Sequence, residues 1–141
     1  MLAAHPAIAA AGFLHDAEKE YAEARLFGAL VSGSLLPGYD EVRVSPAAWF
    51  NGLAEAASEL RRYLLDRLRE GRLEAAETLL AAMDDVYGVL ITVDYPDAVT
   101  GGLRRTTDGL RAVLERTRSD LTTTVLQSRL QAALMSRLER P

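Results

Sequence analysis

Apolar residues recur at helical spacing over the last third of the chain, and this most limits the folds open to it. Leu103, Leu110, Leu114, Leu121, Val125 and Leu134 recur on one side of a segment. The segment begins near Asp97 or shortly after Gly102 and runs to about Leu138. At about 1.5 Å per residue, some 35 residues make a rod of roughly 50 Å. The chain has only 141 residues, one domain's worth, read as a single unit over 1–141. A body that small cannot cover such a rod along its length, so the outer part is expected to meet another chain. Thr122-Thr123-Thr124 is poor helix-forming material and marks a place for a bend or break.

Three shorter helical segments precede the rod. The first is expected from about Pro6 to Ser32, with Phe13, Ala17, Tyr21, Ala24, Gly28 and Val31 as its apolar stripe and Gly33 as its stop. Residues 34–44 read as a loop around Pro37-Gly38. The second segment opens on Ser45 as N-cap and Pro46 at the first helical position. It carries Leu53, Ala57, Leu60, Leu64 and Leu68 on one face and closes at Gly71. The third runs from Arg72 to about Val93, with Ala76, Leu79, Leu80, Met83, Tyr87, Leu90 and Ile91 inward. Asp94-Tyr95-Pro96 ends it, because the residue before a proline is pushed out of the helical region. The expectation is an all-α antiparallel bundle of about four main helices with a long C-terminal helix, assembling into an oligomer.

Cysteine is absent, which removes disulfides and thiolate metal sites, and His5 and His15 are too few for a histidine-rich site. No apolar run reaches about 18 residues and no basic-then-apolar leader opens the chain, so the cytoplasm is the default location, with no membrane partner. Residues 1–103 carry 8 basic and 16 acidic side chains, whereas 104–141 carry 8 and 4; all the bases but Lys19 are arginines. The basic end suits either a polyanion or an acidic surface on a neighbouring subunit.

Asp16, Glu20 and Glu23 fall within about 60° on the first helix. Like charges this close repel, and a divalent hard cation with oxygen ligands would offset them. Glu20 lies closest to the expected apolar stripe and is therefore placed at a helix–helix groove. Glu55 and Glu59 on the second helix and Asp84 and Asp85 on the third are the further carboxylates, Asp84 being better aimed than Asp85. Acids at helical spacing are more commonly a solvated face, and Lys19 and Arg25 are placed to pair with them. His15, Met83 and Tyr87 have structural readings, and Trp49 is placed to anchor the start of the second helix.

Several blocks resemble the translin/TRAX superfamily of single-stranded nucleic-acid binders and ribonucleases. Glu20-Tyr21-Ala22-Glu23-Ala24 is similar to its E-Y-x-E-A stretch, and Arg43-Val44-Ser45-Pro46 through Gly52 to its R-V-[ST]-P…G segment. Ser58-Glu59-Leu60-Arg61-Arg62 is similar to G-E-L-x-R, and Leu103-Arg104-Arg105 through Asp108 and Leu110 to L-R-[KR]-x-x-D-x-L. The set spans most of residues 10–121. Asp94-Tyr95-Pro96 and Glu115-Arg116-Thr117-Arg118 look closer to the prokaryotic, mainly archaeal, TRAX-like branch.

The resemblance implies closed, hollow helical oligomers, an octamer or a smaller ring or cage, holding single-stranded RNA or DNA. It also implies an Mg²⁺-dependent endoribonuclease, with Mn²⁺ as the alternative ion and a family partner subunit as an option. Carried over, the acids are Glu20, Glu23 and Glu59. The third-helix aspartate of the family aligns with Tyr87-Gly88-Val89, where it is missing, and Asp84 one turn earlier is the substitute. Arg104 and Arg105, with Arg61 and Arg62 second, are the expected phosphate contacts. The family's N-terminal helical hairpin is expected to be missing here. Two other readings stand beside the nuclease: a non-catalytic binder of single-stranded RNA or DNA, and a structural helical scaffold.

Overall fold

The computed structural model describes residues 12–139. The part of the first expected helix before Gly12 lies outside them. The elements are α1 (Phe13–Ser32), α2 (Tyr39–Val42), α3 (Pro46–Arg69), α4 (Leu73–Leu90), α5 (Asp97–Thr100) and α6 (Leu103–Leu138). No strand occurs among the described residues, and none of their helices is long and apolar enough to cross a membrane. The all-α bundle with a long final helix is as expected.

The middle of the bundle is α3, which packs against α1, α4 and α6. Its sequence explains why. Ala48, Gly52, Ala54, Ala56 and Ala57 are buried small residues that let neighbouring backbones come close, while Leu53, Leu60 and Leu64 fill the space between them. Ser45 caps the helix as expected: its Oγ accepts from the Ala48 N–H at 3.3 Å. The Ser45 N–H in turn donates to a carboxylate oxygen of Glu18 on α1, at 3.0 Å, so the start of α3 is tied to α1. Trp49 anchors this end within the chain, its indole N–H donating to the Pro37 carbonyl at 2.9 Å. At the other end Gly71, with φ of 75°, makes the left-handed turn into α4.

Asn51 fastens three elements. Its Nδ2 donates to the carbonyls of Ala47 (2.9 Å) and Thr100 (2.7 Å), and its Oδ1 accepts from Thr106 Oγ1 at 2.7 Å. A buried amide with these partners is satisfied, and it pins α5 and the start of α6 to α3.

Four expectations change. The buried residues of α1 are Ala22, Leu26 and Ala29. Most of the expected stripe lies on the far side: Phe13 is 74% exposed, and Ala17, Tyr21, Ala24 and Gly28 are exposed too, while Val31 at its end packs against the core. Alanine and other apolar residues occur on both faces of α1, so periodicity alone cannot choose between them. The loop at 34–44 contains the one-turn helix α2, which is too short to show a period. The three threonines do not break α6. Thr123 and Thr124 donate back to the carbonyls of Ser119 and Asp120, each at 3.0 Å, and the helix runs through. Leu134 does not share the inward face of α6. It stands 13 positions beyond Leu121, about 220° round the helix, and is exposed.

Candidate active site and nucleic-acid surface

The crossing of α1 over α3 is set by Gly52. A β-carbon there would stand 2.9 Å from the Lys19 carbonyl oxygen, 3.0 Å from Ala22 Cβ and 3.0 Å from the Glu23 nitrogen. The two backbones therefore touch at the turn of α1 that carries Lys19 and Glu23. Three residues after Gly52, Glu55 rises from α3 into the same groove.

The result is a small charged cluster. Lys19 Nζ lies 2.9 Å from a Glu55 carboxylate oxygen, both side chains being only partly exposed. Glu23 sits half-buried beside them. Burial first, then the negative charge of Glu55 and a hydrogen bond with its side chain, hold the Glu23 carboxyl above the usual range. The charge of Lys19 acts against this, and Glu59, one turn after Glu55, pushes the same way as Glu55. The Lys19 ammonium is held above its ordinary value, chiefly by its hydrogen bond to Glu55.

Of the four sequence-derived acids, the structure brings Glu23 and Glu59 to this groove. Glu20 is exposed on the outer side of α1, because the expected stripe and the buried face are opposite. Asp84 lies elsewhere, between α4 and α6, with one guanidinium nitrogen of Arg118 at 2.5 and 2.6 Å from its two oxygens. Glu55 is the better-placed acid; the i, i+4 pair of Glu55 and Glu59 on α3 was its sequence signal. Lys19 as the partner of Glu55, and Gly52 as the contact that creates the groove, show only once α1 and α3 are packed. Among the described residues no group of three histidine or acidic side chains converges closely enough to hold a metal ion.

The arginines divide. Arg61 is committed inside the bundle, donating to Asp120 at 2.7 Å and to Thr117 at 3.1 Å on α6. Arg62 is exposed and borders a groove with Phe27, Glu59, Tyr63 and Asp66, close to the acids. Arg104 and Arg105 are exposed at the start of α6. Arg104 lines a separate groove with Tyr87, Asp94 and Asp108.

No protein-family profile matches the chain. The structure of AfC3PO in complex with duplex RNA is similar over 89% of this chain and 65% of its own, at 35% identity and a TM-score of 0.80. A crystal structure of AfC3PO is similar at 37% identity and a TM-score of 0.73, over 80% of this chain and 60% of its own. These likenesses support the translin/TRAX superfamily. An uncharacterized protein of Methanocaldococcus jannaschii is 29% identical over 124 residues, which are 87% of this chain and 55% of that protein. The chain thus spans little more than half the length of that relative, and under two thirds of either AfC3PO chain.

Proposed function

We propose that this chain is an RNA-binding subunit of a closed helical oligomer that cleaves RNA with Mg²⁺ at the α1–α3 groove. The observation that carries the reading is the meeting of Glu23 and Glu55 across that groove, in a fold shared with a protein solved on duplex RNA. Oxygen donors are the right type for Mg²⁺, which keeps several waters and commonly takes only one or two carboxylates together with substrate phosphates. The donor set fits on that basis: Glu23 and Glu55 would hold the ion and Glu59 would hold its waters. The bound ion would supply a lowered pKa for water and charge neutralisation at the phosphate. The chain's own residues supply the rest. Gly52 fixes the separation of the two carboxylates, and Arg62 stands beside Glu59 to hold a phosphate. Arg104 and Arg105 extend the phosphate contacts without reading bases.

Lys19 favours the second reading, a non-catalytic binder of single-stranded RNA or DNA. A lysine already bonded to Glu55 does part of what a metal would do there.

Cleavage of labelled RNA, single-stranded and duplex, in Mg²⁺, Mn²⁺ or EDTA separates the two. We expect metal-dependent cutting that falls at least ~100-fold in Glu23→Ala and Glu55→Ala. Asp84→Ala should keep it, and Glu20→Ala tests whether the outer acid contributes. Binding by parent and variants alike without any cutting would replace the nuclease with the binder.

A further inference from the structure

Arg104 belongs to a groove of about 300 Å³ between the end of α4 and the start of α6. Leu90, Leu103 and Thr107, all buried, form its floor, and Tyr87 lines it as well. Thr107 is 7% exposed, and its hydroxyl oxygen is closed off from water without a hydrogen-bond partner. Thr117, further along the same helix, shows the usual remedy, donating to the Val113 carbonyl at 2.7 Å. A buried hydroxyl left unpaired is destabilising, and valine would fill position 107, on the inward face with Leu103 and Leu110, without that loss. Threonine has two χ1 wells in a helix, so a ligand seated on the floor can draw the hydroxyl to itself.

The rim of the groove is charged. Arg104, Asp94 and Asp108 are exposed there, and none has an ion-pair partner among the described residues. Arg111, beyond Asp108, is engaged with Glu115 at 3.1 Å. Arg104 stands in the first turn of α6, which has no acidic residue and no side-chain cap, so free N–H groups and the helix dipole add to its charge. The groove thus attracts an anion at Arg104. About 6 Å along the helix axis, at Asp108, it only accepts hydrogen bonds, and Asp94 adds a second acceptor.

We propose that this groove holds a single nucleotide whose base carries an amino group, its phosphate on Arg104 and its amino hydrogens on Asp94 and Asp108. On the reading of the chain as an RNA binder, on which this rests, the occupant is one unstacked nucleotide of the RNA. The volume lies at the small end of ligand sites and suits one nucleotide. A base has flat faces for the leucines and the Tyr87 ring, and polar groups only along its edge. Adenine, cytosine and guanine each offer an NH₂ group there. Uracil offers one N–H between two carbonyl oxygens, which would meet the carboxylates acceptor to acceptor. Arg104 stays blind to the base, so discrimination falls to the two aspartates.

Ligand-observed NMR titration of the full chain with AMP, CMP, GMP and UMP tests this, with thermal melts confirming that each variant folds. The first three should bind with Kd near ~1 mM, and UMP at least ~10-fold more weakly. In Asp94→Asn/Asp108→Asn, whose amides donate as well as accept, that gap should shrink to under ~3-fold. Arg104→Ala should weaken all four alike, and Thr107→Val should weaken binding while melting above the parent. Four nucleotides bound alike, none bound, or a gap that survives the double variant would overturn the site. Labelled oligo(A) and oligo(U) RNA on the same samples separate this site from the reading beneath it. RNA bound equally by parent and double variant, without nucleotide discrimination, would strike the pocket alone. Discrimination among mononucleotides with no RNA bound would keep the pocket, for a free nucleotide, and strike the RNA reading.

Discussion

Glu23 is a carboxyl whose environment favours the proton. Its folded pKa lies above the unfolded one, so just above the ordinary carboxylate range the native state binds more protons than the unfolded chain. Stability is lost as pH rises through that window. Glu23→Gln should therefore melt slightly above the parent at neutral pH, by under about 1 kcal/mol after solvent screening, and the gap should close on acidification. A divalent ion at the groove should raise the parent's melting temperature and leave Glu23→Gln less affected. Lys19 works in the opposite sense. Its raised pKa gives stability that is full below the ordinary lysine value and lost as pH rises through the folded one, so Lys19→Met should be less stable than the parent at neutral pH, by about 1 kcal/mol. Gly52→Ala has no free space to enter, because two of its three closest neighbours are backbone atoms. It should cost about 1–3 kcal/mol by thermal or denaturant unfolding, and disturb the Glu23–Glu55 approach as well.

At the scale of the helices, strong caps and long periods made α3 and α6 readable from sequence. Ser45-Pro46 marks a start that the structure keeps, and Ser45→Ala should lower stability by about 1 kcal/mol in a melt. The face of α1 was not readable. Ala22, Leu26 and Ala29 are no more apolar as a row than Phe13, Ala17 and Tyr21, and only the small residues of α3 decide which row goes inward. That choice moved the expected groove acid from Glu20 to Glu23. Glu59 was readable from its own motif. Exchanging Asp84 for Glu55 needed tertiary contacts, since the Arg118 that occupies Asp84 comes from a helix 34 residues further along the chain.

For the whole molecule, the division of arginines makes a prediction about RNA. Arg104 and Arg105 are exposed and have no ion-pair partner among the described residues, so replacing both with alanine should weaken binding across sequences and flatten its dependence on salt by about one unit of log–log slope per lost phosphate contact. Arg61→Ala should instead act through stability, because it frees Asp120 and Thr117 from a partner in the bundle. A filter-binding titration at several salt concentrations, run beside thermal melts, separates the two effects. The joint at Asn51 has a mechanical consequence. It holds α6 close to its first turn and one residue from Gly52, while Leu138 stands 36 residues along the helix. Arg61 holds α6 again at Thr117 and Asp120, so the helix moves with α3 as one body and only the stretch beyond Leu121, roughly 25 Å, projects from the bundle. One degree of tilt of that body about the Gly52 crossing carries Leu138 about 1 Å, so any adjustment of α3 against α1 is magnified at the far end of α6.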